Sequence, residues 1–132
     1  MVKLTADDFF TGLFAALVRT GLPGLSIRGS RFDESIAGVF DKLRESAPEK
    51  DLDIRFRIRL HKFHNDSIAT RNAVYSAAQN GLVSLENPEY QDMRFKINER
   101  EADELLKKVP GGKELYSDLA KEFLSRYDPV KV

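Results

Sequence analysis

In the stretch "LDIRFRIRLHKFH" (Leu52 to His64), Arg55, Arg57, Arg59 and His61 stand at alternate positions, with Phe56, Ile58 and Leu60 between them. Side chains of a β-strand alternate between faces, so this spacing predicts one apolar and one strongly basic face. The chemistry offered by the basic face is anion recognition, because the guanidinium fork matches phosphate oxygens and neighbouring charges act together. A solvated face, arginines paired with carboxylates inside the chain, and an acidic or identical protein partner are the alternatives for the same pattern.

A second group lies in "SIATRNAVYSAAQNG" (Ser67 to Gly81). On a helical wheel Thr70, Ala73, Val74 and Ala77 gather on a face small enough for close packing. Arg71, Asn72, Tyr75 and Gln79 gather opposite, and these side-chain types hydrogen-bond phosphates and base edges. The alternative buries Ile68, Val74, Tyr75 and Ala78, with Arg71 reaching out from the edge. A third group comes from "MRFKI", where Met93, Phe95 and Ile97 alternate with Arg94 and Lys96. If this segment and the basic strand share one sheet, Arg94 and Lys96 join the three arginines on one face, with Glu86 and Asp92 as its acids.

Catalytic constellations are weaker. His61 and His64, near Asp66, are three residues apart on a strand, which sends the two imidazoles to opposite faces, so no metal site is expected. Asp51 and Asp53 share a face and could suggest a magnesium pair, but they fit the start of a strand balancing Arg55 better. No GxSxG, P-loop, GxGxxG or HExxH occurs, and "PGG" (Pro110 to Gly112) reads as a helix break. No cofactor is expected, and catalysis is the minor reading.

These groups must be held by elements with their own signals. Thr5, followed by Asp7 and Asp8, predicts an N-cap for a helix carrying Phe9, Phe10, Leu13, Phe14 and Leu17 and stopping at Gly21. That aromatic stripe is either core or a homodimer interface, and self-association through it is the expectation carried forward. "LPGLSIRG" reads as a loop. Ser30 and Asp33 mark the start of a second helix with Phe32, Ile36, Val39, Phe40 and Leu43 inward, closed by Pro48. Asp66 or Ser67 caps the third helix, Asn80-Gly81 ends it, and Asn87-Pro88 turns a hairpin over residues 82–97. Asn98 and Glu101 form a capping box, and a last helix carries Leu115, Leu119, Phe123 and Tyr127.

The order predicts an α+β fold: a small antiparallel three-stranded sheet, made of residues 52–62 and the hairpin, with flanking helices. One domain is expected over 1–132, with N-terminal helices at 5–47, strand, helix and wing-like hairpin at 52–97, and C-terminal helices at 98–127. The whole chain of 132 residues balances 21 basic against 21 acidic side chains, which gives no overall attraction to polyanions. Residues 54–83, however, carry five basic against one acidic, so the cationic excess is local. The absence of cysteine fits a cytoplasmic protein without disulfides, and "FFTGLFAALV" is too short and too acidic in its approach for a membrane anchor.

From Ser67 to Ile97, "SIATRNAVYSAAQNGLVSLENPEYQDMRFKI" resembles the second half of a winged-helix domain, in which a recognition helix ends in a Gly-Leu-Val type turn and leads into a two-stranded wing. Here "NGLV" (Asn80 to Val83) stands at that junction, and Val74 and Ala77 stand at apolar core positions. The resemblance implies nucleic-acid contact by the helix and wing, or use of the same fold as a protein-docking module. In the family a further short helix precedes the recognition helix, where this chain has "RFRIRLHKF". The function expected is a non-catalytic nucleic-acid-binding or regulatory protein, with a protein-interaction subunit of a larger assembly as the alternative.

Overall fold

The computed structural model describes residues 2–27, 30–62, 67–86 and 92–127. Among these the chain runs β1 (Val2–Leu4), α1 (Ala6–Arg19), β2 (Gly24–Ser26), α2 (Arg31–Ser46), β3 (Leu52–Ile54), α3 (Ile68–Gln79), β4 (Val83–Glu86), β5 (Asp92–Phe95), α4 (Glu99–Lys108) and α5 (Gly112–Tyr127). The class is α+β, with a three-stranded antiparallel sheet ordered β2-β5-β4 among the helices. His64, Asp66 and the Asn87-Pro88 turn lie outside the described residues.

Local signals act where the sequence places them. Thr5 Oγ1 accepts from the Asp8 amide at 3.2 Å while the Thr5 amide donates to Asp8 Oδ2, closing a capping box on α1. Gly21 takes the left-handed conformation that ends the helix, at φ 87°. Ser67 Oγ caps α3 through the Thr70 amide at 3.1 Å, and Asn98 with Glu101 boxes α4. Ser30 occupies the N-cap of α2 but makes no side-chain cap bond, its hydroxyl lying instead toward Glu34.

The sheet differs from expectation in membership. Residues 52–62 do not join the hairpin: only Leu52–Ile54 form a strand, and it pairs in parallel with Val2–Leu4 in a separate two-stranded sheet. The physical cause is the length of the partner. The ladder's last bond runs from the Arg55 amide to the Leu4 carbonyl at 2.9 Å, and Thr5 then turns the partner chain into α1. Residues 55–61 continue without a ladder. The third strand of the antiparallel sheet is β2, from the segment expected to be a loop, in register Gly24 to Arg94, Leu25 to Met93 and Ser26 to Asp92. A Cβ at Gly24 would run into the Met93 carbonyl, so glycine is what permits this approach.

Helix α1 is the centre of the core. Phe9, Phe10, Leu13, Phe14 and Leu17 are each at most 2% exposed. They are covered from every side by α3, α4 and α5 and by ring contacts of Phe9 with Phe40 and of Phe14 with Phe95. The expected self-association surface is therefore the chain's own interior, because α3, α4 and α5 of the same chain cover the apolar stripe that a partner would have covered. On α2, Phe32, Ile36, Val39, Phe40 and Leu43 are buried as their spacing predicts. Helices α2 and α5 are further joined by Glu122, which takes Lys42 Nζ at 3.4 Å and Arg126 Nε at 2.6 Å. Partial burial opposes its ionisation, but the two cations outweigh that and hold its carboxyl below the usual range.

Candidate nucleic-acid interface

The basic segment is set by what its alternate residues bury. Phe56 packs on Phe9 and Phe40, with ring centroids 5.5 and 5.2 Å apart, and Ile58 is buried. These anchors turn Arg55, Arg57 and Arg59 to solvent, as the alternation predicts. The alternation fails at Leu60, expected inward but 36% exposed, because by then no ladder or core layer holds the chain.

The three arginines are not equivalent. Arg55 Nε meets Asp53 Oδ2 at 2.8 Å, so Asp53 balances this cation, while Asp51 shapes the turn into β3 at φ 56°. Neither Arg57 nor Arg59 is ion-paired among the described residues. They form a ridge between two hollows. One, about 340 Å³, is bounded by α2 through Phe40 and Arg44 and by Ile54 and residues 56–59. The other, about 310 Å³, is bounded by Arg57, Arg59, Leu60 and His61 on one side and by Ser67, Ile68 and Ala69 at the start of α3 on the other. His61 is exposed and makes a contact of its own.

Helix α3 buries Thr70, Ala73, Val74 and Ala77, the small face its sequence offers, and displays Asn72, Tyr75 and Gln79. Ile68 belongs to the same exposed stripe, at spacing 68, 72, 75 and 79, and is 75% exposed; Tyr75 is 51% exposed. Arg71 does not join the stripe. Its Nη2 reaches Asp33 Oδ2 at 3.0 Å, and Asp33 is fully buried on α2. A buried carboxylate demands a cation, and Arg71 answers that demand before any ligand can.

Arg94 and Lys96 are exposed on and just after β5, as the inward turn of Met93 requires, but they belong to the sheet of β2, β4 and β5. The basic segment belongs with the other pair of strands. The single cationic sheet face expected from the sequence is thus divided, for the same reason that residues 55–61 lack a ladder. Sequence reasoning did not single out Arg44, placed Leu60 inward, set Ile68 only in the alternative buried face of α3, and read Asp33 as a helix start. Only Asp33 carried a signal, as an acid within an otherwise apolar stretch of helix face. Among the described residues no three His, Asp or Glu side chains are grouped so as to hold a metal ion.

No protein-family model, curated protein or solved structure matches the chain.

Proposed function

We propose that this chain is a non-catalytic nucleic-acid-binding protein with a regulatory role in the cytoplasm, holding phosphates on Arg57 and Arg59 and bases on the exposed stripe of α3. The observation that carries the reading is the ridge: two exposed arginines without an acidic partner among the described residues border both hollows, and the second hollow leads to the first turn of α3. Phosphate contacts position a nucleic acid and base contacts specify it, so Asn72, Tyr75 and Gln79 are the residues placed to read sequence or stack bases. The winged-helix resemblance is supported by the order α3, Gly81 turn and hairpin β4–β5, with α3 packed on β4. The departure before α3 is where the basic ridge stands.

A protein partner is the second reading, favoured by Leu60, Ile68 and Tyr75. Three of the four exposed large apolar side chains among the described residues thus adjoin the ridge or continue along α3. No helix of the described residues is long and apolar enough to cross a membrane. The test is a filter-binding titration of single-stranded and duplex DNA and of RNA at two salt concentrations, comparing wild type with Arg57→Gln/Arg59→Gln. Binding by wild type should weaken with salt, and the double variant should flatten the log-log salt slope by up to about two units, near one per lost phosphate contact. Asn72→Ala/Gln79→Ala should relax sequence preference and leave the slope nearly unchanged. Absence of wild-type binding at about 50 mM salt refutes the nucleic-acid reading and leaves the apolar residues of the ridge to a protein partner.

A further inference from the structure

On the far side of α1 from its N-terminal cap, the last turn of that helix meets α4 and α5 in a hollow of about 260 Å³. Its apolar lining is Ala16, Leu106 and Ala120, all buried in the core. Its polar lining is Arg19 from α1 and Thr20, the C-cap of that helix, with Lys113, Ser117 and Lys121 from α5. The α5 residues recur at i, i+4 and i+8, which places them in one row along the helix.

Arg19 and Lys113 are held from behind by one carboxylate. Arg19 Nη1 and Lys113 Nζ both meet Asp103 Oδ1, the lysine at 3.2 Å. The Lys113 hydrogen bond, joined by the Arg19 charge, outweighs partial desolvation and holds the Asp103 carboxyl below its ordinary value of 3.8, so the clamp is charged at neutral pH. Two cations share one anion, and Lys121 has no ion-pair partner among the described residues. The hollow is therefore bordered by a net excess of positive charge. The Thr20 hydroxyl donates to the Leu17 carbonyl at 2.6 Å and so has no hydrogen left for an anion; the Ser117 hydroxyl is exposed and can donate.

We infer that this hollow is a binding site for a small organic anion, its charged group between Arg19, Lys113 and Lys121 and its apolar part on Ala16, Leu106 and Ala120. Three features favour such a ligand over a bare ion or a drug-sized molecule. The volume lies just below the usual range of ligand pockets, about 300–1,000 Å³, which fits a single ring or short chain. The floor is apolar, so an ion without an apolar part leaves it unused. Asp103 fixes two of the three cations in place, which lowers the ordering cost of clasping an anion. The site is independent of the nucleic-acid reading, since it shares no residue with the ridge.

Phenyl phosphate is the probe, with inorganic phosphate and phenol as its two halves, titrated into isotope-labelled protein and followed by amide chemical shifts. Phenyl phosphate should bind saturably with a Kd in the low-millimolar range, shifting amides of residues 16–20, 106 and 113–121, and each half alone should bind at least about fivefold more weakly. Lys121→Gln should weaken phenyl phosphate about tenfold, the scale of one charge-assisted hydrogen bond. Ser117→Leu keeps every charge but fills the hollow, and should abolish saturable binding with the exposed fold positions unmoved. Unsaturable shifts in wild type, shifts outside these residues, or undiminished binding by Ser117→Leu would each overturn the assignment.

Discussion

Replacing Gly12 by alanine should destabilise the protein, although the same change in an ordinary helix stabilises it. Gly12 lies in the interior of α1, where alanine gains about 1 kcal/mol over glycine from backbone entropy alone. Here the new Cβ would stand 2.5, 2.6 and 2.7 Å from Cε1, Cδ1 and Cζ of Tyr116. Carbon atoms prefer about 3.5–4.0 Å, so the ring must retreat by about 1 Å. It has nowhere to go: Tyr116 is fully buried and its hydroxyl donates to the Pro110 carbonyl at 2.8 Å. Overpacking of this kind costs about 1–3 kcal/mol, and contact with three atoms of a tethered ring belongs in the upper part of that range. The net expectation is a loss of about 1–2 kcal/mol. Urea unfolding followed by far-ultraviolet circular dichroism reads it as a lower midpoint at unchanged m-value. In the double variant with Tyr116→Leu, the two losses should be less than additive, since the second change removes what the first collides with. A Gly12→Ala protein as stable as wild type, or more so, would refute the claim that α1 and α5 meet by this glycine–tyrosine contact.

Arg71→Met should cost about 2–4 kcal/mol in the same assay. Breaking a buried pair from one side costs about 3–5; the figure is reduced because Arg71 is partly exposed and Asp33 makes more than this one interaction. Adding Asp33→Asn should recover part of the loss, and a cost below about 0.5 kcal/mol for Arg71→Met would put Arg71 back on the binding face. Alkaline titration gives another test. Burial, with the Asp8 charge in addition, pushes the Tyr116 hydroxyl well above its ordinary value of 10.0. The folded protein then keeps a proton that the unfolded chain gives up, so stability is intact below about pH 10 and falls above it, by about 1.4 kcal/mol at pH 11. Tyr116→Phe should remove that share of the alkaline slope, seen in unfolding curves at pH 9 and 11; an unchanged slope would contradict the burial of this hydroxyl.

What the amino-acid order determined by itself is whatever depends on residues three or four apart. The Thr5 N-cap, the Asn98–Glu101 capping box, a cap for α3 at Asp66 or Ser67 and the stops at Gly21 and Gly81 were all legible, because each is a contact within one turn. The small-residue face of α3 was legible as one of two candidates, and the structure chose it over the face with Ile68 and Tyr75 by burying Thr70, Ala73, Val74 and Ala77. The outward turn of Arg55, Arg57 and Arg59 was legible because the period of two is carried by their immediate neighbours Phe56 and Ile58. Tertiary structure decided which partner each element meets. The basic strand stops after Ile54 because its neighbour is the three-residue β1, whose end is a helix cap fifty residues away in sequence. The loop at residues 24–26 becomes a strand because β5 offers it an edge. The phenylalanines of α1 became core because three other helices cover them, and a stripe of apolar residues carries the same pattern whether its cover is the same chain or another. Arg71 left the displayed face because Asp33, on a different helix, lies buried within its reach. Sequence patterns state which face of an element is apolar, but burial is a property of the pair of surfaces that meet, and the second surface is supplied by a distant part of the chain.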